Sequence, residues 1–170
     1  MVNDIYKRTV ALFFAMVRLA DLPDYEREHL LEKCGSPLGP PVWVVKTKEL
    51  AQMRIALITT AGLHFRDEAA FSLVDNGFRP ISNDENPDDL VMSHSSVNFD
   101  RSGFQEDINT VFPLSRFREL ETRGTIGSLA SVHYSFMGAG LEPEAYENSA
   151  RGLAGMLKQD KVDAVFLTPV

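Results

Sequence analysis

At 170 residues the chain suits one domain, and a 44% share of apolar residues is enough to build a core while 24% charged residues sets it apart from disordered chains. Acidic residues outnumber basic ones 24 to 17. The resulting net charge of −7 argues against nucleic acid as the main partner, because phosphate binding needs a basic face.

Residues 4–33 read as a helical arm with a turn near Asp21–Asp24, where Asp24 is a natural N-cap. The apolar run Val10–Val17 follows Lys7 and Arg8 as a signal peptide would, but Asp4 precedes it and Arg18 follows it at once. It reads as one face of an amphipathic helix, and with no apolar run of about 18 residues no membrane span is expected. Cys34–Pro41 is a Gly/Pro cluster that separates this arm and linker (1–41) from the main domain (42–170). Cys34 is the single cysteine, so no internal disulfide and no cysteine zinc site can form, and a reducing, cytoplasmic setting is expected.

Arg54–Thr60 is an apolar run of strand length closed by Ala61-Gly62. Phe78–Ser82 and Asp89–Met92 are shorter strand candidates. Pro113–Arg123 predicts a helix with Leu114, Phe117 and Leu120 on one face and Gly124 as its cap. Leu129–Phe136 is strand-like. Pro143–Lys158 predicts a helix with Ala150, Leu153, Ala154 and Leu157 at helical spacing, and Val162–Thr168 a last apolar strand. Strands alternating with helices predict an α/β fold: a mainly parallel sheet with flanking helices and an N-terminal helical arm, an incomplete doubly wound domain. Arg54–Thr60 and Val162–Thr168 are its expected central strands. Ligands of such sheets bind beyond the carboxyl ends of the strands.

Three groups of residues could carry chemistry. Thr59, Thr60, Gly62 and His64 follow the first strand, where they can hold a small polar ligand or simply form a turn. Ser93–Asp100, with Asp107 and Asn109 beyond it, is dense in proton-transfer groups. Either His94 is an acid or base oriented by Asp100 or Asp107, or the segment is a capped loop. His133 stands in an apolar strand and reads as an acid/base group or as a satisfied core histidine. No metal site is expected, since neither HExxH nor a short His-x-His pair occurs, and no GxSxG elbow supports a Ser-His-Asp hydrolase. No phosphate loop is present either.

The ordered set DYEREHL, ALITTAGLH, DLVMSHSSVNFD, GFQEDINTVFPLSRFREL, GTIGSLASVHYSFMGA and VDAVFLTPV resembles the selenoprotein B family of glycine, sarcosine, betaine and D-proline reductases. More narrowly, it resembles the family's short relatives, from about Val17 onward. The resemblance implies a selenol- or thiol-dependent oxidoreductase that cleaves a bond in a small molecule with a disulfide couple. It places a selenocysteine or cysteine directly after Val170, so the 170 residues would be inactive by themselves. It implies His94, Asp107 and His133 as acid/base or orienting groups. Thr59, Thr60, Gly62, His64, Asp100, Asn109 and Thr168 would be substrate-facing residues. Expected partners are reductase-complex subunits, one of them carrying a pyruvoyl group, or a thioredoxin-like donor, and a second copy of the chain. A redox or detoxification protein of the same fold, and a non-catalytic α/β module, remain as alternatives.

Overall fold

The structure is a computed structural model and describes residues 19–33, 44–45, 48–95, 101–139 and 141–170. The expectations for residues 4–18, for Cys34–Pro41 and for Asp100 lie outside the described residues. The chain divides into two compact units, Met1–Val45 and Lys46–Val170.

In the first unit, helix α1 runs over Asp24–Lys33. Asp24 is its first residue, and its carboxylate pairs with Arg27 at 2.5 Å. Charged residues surround this helix, and Tyr25, Leu30 and Leu31 are exposed.

The second unit is a mixed α/β layer structure built on a mainly parallel sheet. Strand β1 (Arg54–Thr59) lies at its centre. It pairs in parallel with β5 (Ser128–Leu129) and β6 (Val132–Phe136), and likewise with β7 (Ala164–Thr168). β3 (Phe78–Ser82) closes one edge, antiparallel to β6. Pro80 is tolerated there because a proline cannot serve a ladder on both sides. β2 (Leu63–Phe65) and β4 (Leu90–Met92) form a separate antiparallel ribbon. The strand expected near Asp89 therefore belongs to this ribbon, with a partner too short to read from the sequence.

Alternation along β1 divides the core in two. Ile55 and Leu57 join Leu63, Ile81, Phe112 and Leu114 in one cluster. Ile58 packs with Tyr134, Phe136 and Leu153 in the other. Burying a side chain such as Leu57 contributes about 2 kcal/mol. The remaining helices are α2 (Ser102–Glu106), α3 (Leu114–Thr122) and α4 (Glu147–Gln159). α3 packs Leu114, Phe117 and Leu120 on the first cluster, as the spacing predicts. Gly124 ends it at φ +68, with Gly124 N–H bonded to Glu121 O and Thr125 N–H to Leu120 O, a Schellman closure. α4 turns Leu153 and Leu157 to the second cluster, while Ala150 and Ala154 are exposed.

The expected strand Leu129–Phe136 divides in two. Asp160 accepts the Ser131 N–H at 2.8 Å and draws that residue out of the ladder between β5 and β6. β7 pairs with β1 alone among the described strands, an edge position instead of the central one expected. Val165, Phe166 and Leu167 are 37%, 43% and 66% exposed, so the apolar run is not buried on both faces.

Candidate active site

The three parallel strands β1, β6 and β7 end together. Thr59 is fully buried, and its hydroxyl accepts the Ala61 N–H at 3.2 Å, which turns the chain. Thr60 N–H donates to Thr168 O at 3.1 Å, and Val170 N–H donates to Thr60 Oγ1 at 2.8 Å. Gly62, at φ +65, donates to Phe136 O at 2.8 Å. Gly138 has φ +69, and a Cβ there would stand 2.4 Å from Thr60 Cβ. Both glycines are required where the strand ends cross this closely. A crevice of about 390 Å³ opens beside them, lined by Thr60, Phe136, Gly138, Leu141, Pro143 and Tyr146.

His94 packs against the same strand ends. A Cβ on Gly62 would meet His94 N at 3.1 Å and Met137 Sδ at 3.3 Å. The ring is buried, which holds its pKa below the usual histidine value, and the nearby Arg101 guanidinium lowers it further. Arg101 also donates to the His94 carbonyl. A neutral imidazole at this position can accept a proton or a hydrogen bond. His64 lies in the ribbon, buried, with Nδ1 2.7 Å from Phe65 O and Nε2 2.6 Å from Ser93 Oγ.

The structure thus brings Thr59, Thr60, Gly62 and Thr168 together, with His94 against Gly62 and His64 two residues further on. The other predicted residues lie elsewhere. His133 is fully buried between the two sheet partners of its strand. Its Nδ1 accepts the Leu57 N–H at 3.1 Å, and Nε2 faces Asn83 Oδ1 at 3.4 Å. Burial brings its pKa down to about 4, helped by Arg118 and Arg54 and opposed by Asp160. Asp107 caps an exposed turn. Its Oδ1 accepts both the backbone and the side-chain N–H of Asn109, at 2.9 and 2.7 Å, and these bonds with Arg116 hold its carboxyl below the usual range. Among the described residues no three His, Cys, Asp or Glu side chains converge as a metal site.

Sequence reasoning passed over Ser93, Ser135 and Gly138 individually. Ser135 Oγ accepts the Leu63 N–H at 2.7 Å and joins ribbon to sheet. A serine in an apolar strand was the available signal, since buried hydroxyls take partners.

Comparison with known proteins places the chain in a family. The profile of Glycine/sarcosine/betaine reductase selenoprotein B matches residues 40–170. D-proline reductase subunit gamma of Acetoanaerobium sticklandii is 39% identical over 131 residues, covering 76% of this chain and 53% of the relative. Glycine reductase complex component B subunit gamma of Symbiobacterium thermophilum is 30% identical, over 78% of this chain and 30% of the relative. Sarcosine reductase complex component B subunit beta of Peptoclostridium acidaminophilum is 28% identical, over 71% of this chain and 29% of the relative. The chain thus spans about half the length of the first relative and under a third of the other two. No solved structure gives a significant match. The chain belongs to the glycine/sarcosine/betaine reductase selenoprotein B family.

Proposed function

We propose that these residues form one wall of the active site of a selenol- or thiol-dependent reductase that cleaves a bond in a small molecule. The family match over residues 40–170, together with a crevice at the carboxyl ends of β1, β6 and β7, supports this reading. A selenol or thiol lying beyond Val170 would supply the electron pair and end as half of a selenosulfide or disulfide, to be reduced by an external dithiol.

This chain's own residues position and shield. Thr60 holds the backbone leaving β7 through its bond to Val170 N–H. Phe136, Leu141 and Pro143 give the crevice an apolar lining against the reacting bond. In this reading His94, whose pKa burial and Arg101 hold below the usual histidine value, takes a proton from the reacting selenol or thiol and returns one to the leaving group. His133, Asp107 and Asn109 serve the frame, and Thr59 and Gly62 the turn beside His94. The partners this reading calls for are other subunits of a reductase complex, one of them contributing a pyruvoyl group that holds a substrate amine.

One observation favours a variant of the reading, a redox or detoxification enzyme of the same fold. None of the described residues that line the crevice is charged. An amino-acid carboxylate desolvated there would lack a cationic partner. Uncharged substrates suit the lining better.

The nucleotide sequence beyond the Val170 codon tests the proposal. A selenocysteine or cysteine codon followed by a continuing frame is expected. An ordinary stop with no open frame beyond it would overturn it.

A further inference from the structure

The ribbon holds a matched pair of groups outside the crevice lining. In the β2–β4 register His64 lies opposite Val91, and the pairing continues through Ser93 N–H to Gly62 O at 2.9 Å. Alternation puts His64, Val91 and Ser93 on one face, away from Leu63 and Leu90 in the core.

The polarity of the pair follows from its partners. Phe65 O lies 2.7 Å from His64 Nδ1, and a carbonyl oxygen only accepts, so Nδ1 carries the proton. In the neutral ring Nε2 is then the acceptor. Ser93 Oγ stands 2.6 Å away and donates to it. Glu68 takes the Phe65 N–H at 2.8 Å and pins the residue whose carbonyl orients the ring. Phe71 meets the imidazole edge-on at 6.4 Å, and the Arg79 guanidinium stacks on Phe71 at 4.3 Å from its centre. The base is therefore buried and held in one tautomer, while Ser93 is only half-buried. A hydroxyl donating to a base that a third group orients is the arrangement of an activated nucleophile.

We propose that Ser93 is a nucleophile served by His64, and that it accepts acyl groups from small activated esters. Ser93 Oγ attacks the acyl carbon as its proton passes to His64 Nε2. The bond from that carbon to the leaving oxygen breaks, and the alcohol departs with the proton from Nε2. The acyl group stays on Ser93 as an ester until water removes it by the same route. No electron is gained or lost, so the activity is independent of the reductase reading.

A fluorophosphonate probe tests this, with fluoride as the leaving group. The folded 170-residue chain is incubated with excess probe, and the adduct is mapped by peptide mass spectrometry. The expected result is one adduct on Ser93, absent in Ser93→Ala. In His64→Gln its rate should fall by about 100-fold, the range of general-base assistance. The same chain unfolded in urea serves where the His64 variant does not fold, and it should label no faster than that variant. No adduct on Ser93 in the folded chain would overturn the proposal. So would equal labelling rates in the His64 variant or in the unfolded chain.

Discussion

The Leu57 amide donates a 3.1 Å hydrogen bond to Nδ1 of His133. Between β5 and β6 the ladder along β1 is broken, because Ser131 turns its N–H to Asp160. The imidazole repairs that break from within the core. It also packs edge-on against Phe112 at 6.0 Å. An unpaired buried amide costs about 1–3 kcal/mol, and deleting the ring adds a cavity. His133→Ala should therefore lower stability by about 3 kcal/mol or more in urea unfolding. His133→Asn, which keeps an acceptor, should recover part of the loss.

Burial of the same ring makes the fold acid-sensitive. His133 is lowered from 6.5 to about 4 in the folded chain. Between those values the unfolded chain binds a proton that the folded chain does not, so this group's contribution falls as pH falls. It is complete above pH 6.5, and the loss grows to about 3 kcal/mol by pH 4. His94, also lowered, acts in the same direction. Unfolding free energy measured from pH 7 to pH 4 should show a drop that His133→Asn removes in large part.

Two glycines with similar dihedrals should respond differently to alanine. Gly138 (φ +69) would drive a Cβ to 2.4 Å from Thr60 Cβ, while Gly124 (φ +68) has nothing within 4 Å. Gly124→Ala should cost only the left-handed conformation, about 1 kcal/mol. Gly138→Ala adds a backbone displacement and should cost about 3 kcal/mol. Thermal melts of the two variants would compare them directly.

Arg54 ties the amino ends of the sheet together. Its guanidinium donates to Asp160 O at 2.8 Å, Leu129 O at 2.5 Å, Ser131 Oγ at 2.8 Å and Asp160 Oδ1 at 2.6 Å. A lysine keeps the charge and loses the fork that reaches these acceptors at once. Arg54→Lys should destabilise by about 2 kcal/mol, and Arg54→Met by more, since Asp160 is then left half-buried and unmatched.

What was readable in the sequence is what local pattern dictates. Leu114, Phe117 and Leu120 at helical spacing, closed by Gly124, gave α3 its face and its cap. The run Arg54–Thr60 announced a buried strand, which forms over Arg54–Thr59. Long-range partners account for the rest. Leu63–Phe65 is too short to signal a strand, and becomes one only against Leu90–Met92. The break at Ser131 depends on Asp160, distant in the chain. Among the site residues, Thr59, Thr60, Gly62 and Thr168 could be placed because strand ends are predictable positions. The division of labour among the histidines could not. His133 carries a partner on the neighbouring strand, His64 faces Ser93, and His94 packs on Gly62, and no spacing in the sequence distinguishes these three settings.

The reductase reading rests on the family match and the crevice at the strand ends, and it gives proton transfer to His94. Its most direct test co-expresses the reading frame continued through the codon after Val170 with the partner subunits of the complex, with selenium supplied, and follows substrate-dependent oxidation of a dithiol. Glycine, sarcosine, betaine, D-proline and uncharged analogues form the substrate panel. The account predicts turnover with at least one of them, reduced about 100-fold by His94→Gln in a variant that keeps its fold. Turnover unchanged by His94→Gln, or no dithiol oxidation with any member of the panel, would contradict it.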